Sequence, residues 1–197
     1  LRPDSRELIG IQERNKLPED EKQLHSLLMT EGDLAAGELD IPPEWLDRLA
    51  REGRAVYLEQ GLWIAAEQEE EYAAALGAEE VQGSGKIHSG ENGEAGEEGS
   101  YREEWLHIVR RMLRYRGGAD AVQVAERYGW PADMAEKILE ELCCREEAVK
   151  QEDKYYHGML YRRARIRTLK KRREEMGTCP GEAYAALLLS RVESGVP

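Results

Sequence analysis

Phenylalanine is absent from this 197-residue sequence, and aromatic residues together make up only 7% of it. Charged residues reach 35%, against 41% hydrophobic residues. Because aromatic side chains contribute the largest apolar areas to a core, this composition excludes one large core and favours small modules. A chain of this length holds one or two domains.

Cysteine is scarce, and long apolar runs are lacking. Cys143, Cys144 and Cys179 fit no metal or redox spacing. Their odd number, without a signal peptide, predicts a reducing, cytoplasmic environment. No apolar run approaches the length that crosses a membrane, so no membrane partner is expected. The chain begins without methionine and ends without a tail, and we therefore expect a fragment of a larger protein.

Catalytic and ligand-binding motifs are also missing. Gly83-Ser84-Gly85-Lys86 lacks the spacing and the preceding strand of a phosphate-binding loop. The four histidines have no second ligand at helical or hairpin spacing, so no metal site is predicted. No Ser/His/Asp or Cys/His arrangement occurs. We therefore predict that this chain is not itself an enzyme and holds no cofactor.

The charge is unevenly distributed along the chain. Residues 1–99 hold 9 Lys and Arg against 24 Asp and Glu, a net charge of -15, whereas residues 100–197 hold 19 against 16, a net charge of +3. The whole chain carries -12. A nucleic-acid contact would therefore have to come from a local basic patch, because the net charge repels phosphate.

The second half predicts three helices followed by a hairpin. Gly129 ends the second helix and Pro131 opens the third. Two short strands, residues 148–150 and 155–156, flank a turn, and this order of elements is typical of a winged-helix module. Apolar residues repeat at helical spacing at Trp105, Ile108, Val109 and Met112, then Ala121, Val124, Ala125 and Tyr128, then Met134, Ile138, Leu139 and Leu142.

A strongly basic helix is predicted over residues 160–176. Ile166, Leu169 and Met176 are expected to form its one apolar stripe. Like charges this dense repel one another, and binding of a polyanion or an acidic protein surface would offset that repulsion. The alternative is a solvated helix whose basic face docks on this acidic chain. The candidate DNA-binding cations are Arg162, Arg163, Arg165, Arg167, Lys170, Lys171, Arg172 and Arg173.

Other side chains of the second half are further DNA-binding candidates. Arg110 and Arg114, with Arg111 and Arg116 beside them, lie on the polar side of the first helix. Tyr155 and Tyr156 lie in the predicted wing, where an exposed ring could stack on a base. Neighbours in a strand alternate, so only one of the two can point outward. The third helix is acidic and is therefore poorly suited to enter the major groove of DNA. It is expected to face solvent or a basic protein partner.

The first half predicts the same order of elements. Helices over residues 18–29, 34–39 and from Pro42-Pro43 to Gly53 precede a hairpin and a helix over residues 67–76. The predicted fold is therefore mainly α with small β-hairpins (α+β), as two tandem winged-helix modules with extra C-terminal helices. The modules span residues 18–77 and 101–192, joined by a flexible acidic Gly-rich linker over residues 78–100. An amphipathic helix over residues 184–192 ends the second module.

Several segments together resemble one family. These are Leu62-Trp63-Ile64-Ala65-Ala66-Glu67 with Tyr72 and Ala75-Leu76-Gly77, then Val124-Ala125-Glu126-Arg127-Tyr128-Gly129, then the two last helices. Their order over residues 24–192 resembles the C-terminal region of the large helicase-related (Lhr-type) superfamily-two DNA helicases. The sequence departs from that family at Tyr155-Tyr156-His157-Gly158 and in its longer, more acidic linker.

The resemblance implies a parent that moves along single-stranded DNA, using ATP and Mg²⁺ bound by motor domains that this chain lacks. It also implies serial winged helices, similar to those of a DNA-glycosylase family. The leading hypothesis is an accessory region that binds DNA weakly and without sequence preference, and the single strand is the expected form. The alternative is a scaffold that packs against the motor domains or another protein without touching DNA. A glycosylase-like enzyme is a third hypothesis, and it rests on fold alone.

Overall fold

The computed structural model describes residues 17–76 and 103–175, together with Arg2, Pro3 and Leu8. Within them the chain is mainly helical with two small antiparallel sheets, which confirms the predicted α+β class. The first half contains α1 (Glu21–Glu31), β1 (Asp33–Ala35), α2 (Pro43–Arg51), β2 (Ala55–Tyr57), β3 (Leu62–Ala65), a 3-10 turn (Ala66–Gln68) and α3 (Glu69–Leu76). The second half contains α4 (Glu103–Arg116), α5 (Ala121–Tyr128), α6 (Ala132–Cys144), β4 (Ala148–Gln151), β5 (Lys154–His157) and α7 (Gly158–Glu175).

The helix boundaries follow from local capping groups. Asp20 caps α1 by accepting a hydrogen bond of 2.7 Å from the Gln23 backbone N–H, so α1 begins after Asp20 and not at Pro18. Asp120 and Gln123 form a reciprocal capping box at the start of α5. Gly129 ends α5 in the left-handed conformation, as predicted. These caps satisfy backbone groups that the helices leave free.

The helix predicted over residues 34–39 is wrong. Asp33–Ala35 forms β1, which pairs with β3 so that Leu34 lies opposite Trp63. The predicted segment of six residues is too short for a stable helix, and Leu34 is buried in the sheet instead. The first half therefore runs helix, strand, helix, hairpin and helix.

The order predicted for the second half is confirmed: three helices, a hairpin and a long helix. A single residue, Ala119, pairs with Tyr155 of β5 through two backbone hydrogen bonds of 2.8 and 3.0 Å. The middle strand of each sheet is consequently the second strand of its hairpin, with β1 and β2 flanking β3, and Ala119 and β4 flanking β5.

The first sheet lies between the two halves and is buried on both faces. Leu62 and Ile64 of β3 belong to a core made chiefly by the second half. Trp63 and Ala65 face the core of the first half, beside Leu24 and other residues of α1 and α2. Burial on both faces explains why β3 has no polar alternation.

The two halves share a core through α3 and α4. Tyr72 and Ala75 of α3 join the same cluster of buried side chains as Trp105 of α4. The indole N–H of Trp105 donates a hydrogen bond of 2.9 Å to the backbone carbonyl of Ala75. The predicted linker over residues 78–100 and the predicted helix over residues 184–192 lie outside the described residues.

Candidate nucleic-acid interface

The basic helix α7 starts directly at the end of β5. The backbone N–H of Gly158 donates a hydrogen bond of 2.7 Å to the Glu147 carbonyl, which ties the helix start to the loop after α6. A Cβ at Gly158 would lie 2.8 Å from the Glu146 carbonyl oxygen, so glycine is required here. The 18 residues of α7 give a rod about 27 Å long.

The buried side of α7 consists of one leucine and two smaller residues. Leu160, Ala164 and Thr168 follow each other at intervals of four and are buried, so they lie on one face. Leu8 packs on Leu160 and Ala164. The apolar stripe predicted from Ile166, Leu169 and Met176 is therefore wrong, because Ile166 is 65% exposed; Met176 lies outside the described residues. Ala164 and Thr168 let the helix approach the hairpin closely, which bulkier side chains would prevent.

All eight predicted cations of α7 are exposed to solvent, and from Lys170 onward every described residue of the helix is exposed. The carboxylate of Glu146 lies 3.5 Å from Arg162, and that of Glu174 lies 4.0 Å from Lys170. Exposed pairs of this length contribute little energy, so they do not sequester the cations.

The cations of α7 fall on two sides of the rod. Arg163, Arg167 and Lys170 are spaced by four and three residues, so they form one row along the helix. Arg162 and Arg165 lie on a different side. One strand of nucleic acid can follow only one side at a time, and the row of three is therefore the minimal contact set.

The wing tyrosines differ in exposure. Tyr155 is only 2% exposed and belongs to the main core, so the prediction that it stacks on a base is wrong. Tyr156 is half-buried beside Tyr161, with ring centroids 6.3 Å apart. Its ring also lies against Gly118, where a Cβ would be 2.2 Å away. The packing of the hairpin on Ala119 turns Tyr155 inward, and Tyr156 covers the adjacent backbone.

The arginines of α4 are held by acidic side chains or by rings. Arg110 donates a hydrogen bond of 2.9 Å to Glu147. Arg111 donates one of 2.7 Å to Glu71, and its side chain is 20% exposed. The guanidinium of Arg114 lies 5.5 Å from the centre of the Tyr115 ring. Arg116, whose side chain is 11% exposed, donates a hydrogen bond of 2.6 Å to Glu38.

A buried carboxylate joins the two halves. Asp33 of β1 is 1% exposed. Its Oδ2 accepts hydrogen bonds from the hydroxyls of Tyr72 and Tyr128, at 2.8 and 2.9 Å. Its Oδ1 accepts one of 2.6 Å from Nε of Arg127, and Arg116 lies 3.6 Å away. A side chain of the first half is thereby fixed by three residues of the second half.

Glu38 completes this network. Its carboxylate accepts a hydrogen bond of 2.6 Å from Nε of Arg116 and one of 2.9 Å from Nη2 of Arg127. The backbone N–H of Ala35 donates to it as well, at 2.9 Å. Two carboxylates thus face two guanidinium groups, so the buried charge is balanced. We call Asp33, Glu38, Arg116, Arg127 and the two tyrosine hydroxyls the interface network.

No short stretch of the sequence contains the interface network, because its members are up to 95 positions apart. One clue was available. Arg127 lies between the apolar residues Ala125 and Tyr128 in a short amphipathic helix, and a charged group beside a buried stripe needs a partner.

The network makes folding stability depend on pH. Burial raises the pKa of the Asp33 carboxyl, but Arg116 and Arg127 outweigh burial, so the pKa lies below its usual value of 3.8. The same balance lowers the pKa of Glu38. A carboxyl whose folded-state pKa is lowered stabilises the fold above its unfolded pKa, and this contribution is lost as the pH falls through the folded-state pKa.

We therefore expect the free energy of unfolding to fall between pH 5 and pH 3 more steeply in the wild type than in Asp33→Asn. Urea unfolding at pH 7, 5, 4 and 3 measures this difference. Glu136→Gln, which removes an exposed carboxylate, is the control and is expected to follow the wild type. An equal slope in wild type and Asp33→Asn would contradict the assignment.

The exposed face of α6 is acidic, as the sequence predicts. Asp133, Glu136 and Glu140 are exposed there, with Lys137 as the neighbouring cation. Carboxylates repel phosphate, so this face is poorly suited to DNA. Among the described residues no helix is long and apolar enough to cross a membrane, and no group of His, Cys, Asp or Glu is arranged to hold a metal ion.

Comparison of the chain with protein-family models gives no match, and comparison with curated proteins gives no significant similarity.

Proposed function

We propose that this chain is an accessory region of a large ATP-dependent DNA helicase and binds single-stranded DNA weakly, without sequence preference. The observation that carries the proposal is the exposed row Arg163, Arg167 and Lys170 on α7. Guanidinium and ammonium groups bind phosphates by charge and hydrogen bonds. The proposed contacts are to the phosphate backbone, which attracts cations whatever the base sequence.

The distribution of charge supports a localised contact. The eight α7 cations are all exposed, while carboxylates are exposed on the outer face of α6. A strand that approaches α7 therefore meets a positive rod and avoids the acidic face. Such an arrangement orients the approaching strand and also contributes to its affinity for the protein.

The parent type is proposed from the order of elements. Each half has a small sheet whose middle strand is the second hairpin strand, followed by a helix. That shared order supports two winged-helix-like modules, as in the C-terminal region of the Lhr-type helicases. The first half differs by having β1 and a turn where a second helix is expected.

A protein scaffold is the second candidate function. The acidic face of α6, with Asp133, Glu136 and Glu140 exposed, favours a basic protein partner. In that case α7 would contact an acidic surface of the motor domains, and the function of the chain would not involve DNA binding. The two functions differ in whether isolated DNA binds to the α7 row.

Fluorescence anisotropy with a labelled single strand tests the proposal. Three phosphate contacts give a slope of about -2 in a plot of log affinity against log salt concentration. Affinity should therefore fall about 20-fold between 50 and 200 mM salt. The variant Arg163→Gln/Arg167→Gln removes two contacts, and its slope should be smaller in magnitude by about 1.4.

The matched control is Lys22→Gln/Lys137→Gln, which changes the net charge equally at exposed positions outside α7. We expect it to keep the slope of the wild type. Identical slopes for the two double variants would contradict a contact through α7. A wild-type chain that binds no strand at 20 mM salt would leave the scaffold function as the better account.

A further inference from the structure

A basic cleft lies between α1 of the first half and two elements of the second half, α4 and the end of β5. Its volume is about 190 Å³, and its lining comes from α1, α4 and β5. Three guanidinium groups and two imidazoles contribute to it, and the described residues that line it include no carboxylate. The lining residues are Thr30, His107, Arg110, Arg111, Arg114, Tyr115 and His157.

The arginines of the cleft are oriented by groups behind them. Glu147 holds Arg110 at 2.9 Å, and Glu71 holds Arg111 at 2.7 Å. The Arg111 guanidinium also lies 5.8 Å from the centre of the Tyr72 ring. Side chains that are already oriented lose less entropy when they bind a ligand. The two supporting glutamates come from different halves of the chain, so the assembled fold is what forms the cleft.

The size of the cleft limits what can enter it. Sites for whole small molecules occupy about 300–1,000 Å³, which is more than this cleft offers. A single tetrahedral oxyanion is small enough, and guanidinium groups match it by forming paired hydrogen bonds. The hydroxyl of Tyr115 can donate to the same group, whereas that of Thr30 already donates to the backbone carbonyl of Ser26 at 2.7 Å. The combination suits a compact anion better than an apolar or cationic group.

We propose that this cleft binds a phosphate group. Arg110, Arg111 and Arg114 supply guanidinium donors. Glu147 and Glu71 offset the charges of Arg110 and Arg111, and Arg114 adds a third guanidinium group. The rings of His107, whose Nδ1 lies 3.7 Å from Glu71, and His157 border the same space. The phosphate could belong to the end of a nucleic-acid strand or to a small phosphorylated molecule, and the chemistry of recognition is the same. The site is separate from the α7 row and does not require that row to contact DNA.

Isothermal titration calorimetry with inorganic phosphate, at constant ionic strength set with chloride, tests the cleft directly. We expect Arg114→Gln to weaken phosphate binding about tenfold or more, because a charged hydrogen bond is lost. Arg114→Lys keeps the charge and should recover part of the affinity. Arg110→Gln is the second variant, and it should weaken binding similarly.

Lys137→Gln is the control for charge, and Arg163→Gln/Arg167→Gln is the control for α7; both should bind inorganic phosphate as the wild type does. Circular dichroism at each titration temperature verifies that the variants are folded. Absence of phosphate binding by the wild type would overturn the proposal. Unchanged binding in both Arg114→Gln and Arg110→Gln would overturn it as well.

Two labelled single strands, one with a 5′-phosphate and one with a 5′-hydroxyl, identify the source of the phosphate. Tighter binding of the 5′-phosphorylated strand, lost in Arg114→Gln, assigns the cleft to a strand end. Equal binding of both strands, with inorganic phosphate still bound, assigns it to a small phosphorylated molecule. The α7 double variant is expected to weaken strand binding but not the binding of inorganic phosphate. The experiments can therefore contradict the α7 proposal and the cleft proposal separately.

Discussion

Replacing Asp33 by alanine is expected to lower the free energy of unfolding by about 3–5 kcal/mol, because removing one partner of a buried ion pair leaves the other charge uncompensated. The charges left behind belong to Arg116 and Arg127, which are 11% and 15% exposed. The hydroxyls of Tyr72 and Tyr128 lose their acceptor at the same time, which adds the cost of unsatisfied buried donors.

Urea unfolding followed by tryptophan fluorescence and by circular dichroism measures this loss. Tyr128→Phe removes one hydrogen bond of the interface network and keeps its charges, so a smaller loss of about 1 kcal/mol is expected. Glu140→Ala, an exposed acidic position on α6, should change the free energy of unfolding by less than about 0.5 kcal/mol. A loss below 1 kcal/mol in Asp33→Ala would mean that the network does not join the halves as described.

Gly32→Ala is expected to lower the free energy of unfolding by about 3–5 kcal/mol, the sum of backbone strain and overpacking. Gly32 ends α1 with a φ of +94°, a conformation that residues with a Cβ rarely adopt. A Cβ there would lie 2.5 Å from Nε of Arg111 and 2.6 Å from the hydroxyl of Tyr72. Both neighbours are fixed by other contacts, so neither can move without breaking a hydrogen bond.

Gly37→Ala is the matched control for Gly32→Ala. Gly37 also has a positive φ, of +79°, but no atom lies within 4 Å of a Cβ built on it. Its replacement should therefore cost only the strain, about 1–2 kcal/mol. Thermal or urea unfolding of both variants separates strain from crowding. Equal losses in the two variants would show that the packing around Gly32 is looser than the structure has it.

The elements of the second half could be predicted because their determinants are local. Helical spacing of apolar residues, Gly129 after α5, Pro131 before α6 and the turn at Glu152-Asp153 are all visible within a few positions. The same type of evidence gave the hairpin of the first half and the position of α2. The exposed cations of α7 were also identifiable, since a helix this rich in charge cannot be buried.

Features that depend on distant partners could not be predicted. A strand at Asp33–Ala35 forms because β3, about 30 residues later, offers a free edge. The buried face of α7 is Leu160, Ala164 and Thr168, which does not stand out by hydrophobicity alone. The interface network and the basic cleft each combine side chains from both halves. The periodicity of apolar residues carries no information on contacts between side chains that are distant in the sequence.

The burial of β3 on both faces has a thermodynamic consequence. Because Leu62 and Ile64 complete the core to which α4, α5 and α6 contribute, disorder in the first half would uncover apolar surface of the second half. Each half therefore gains stability from the order of the other, which is the physical basis of cooperative, all-or-none melting. The described halves of the chain thus behave as one thermodynamic unit.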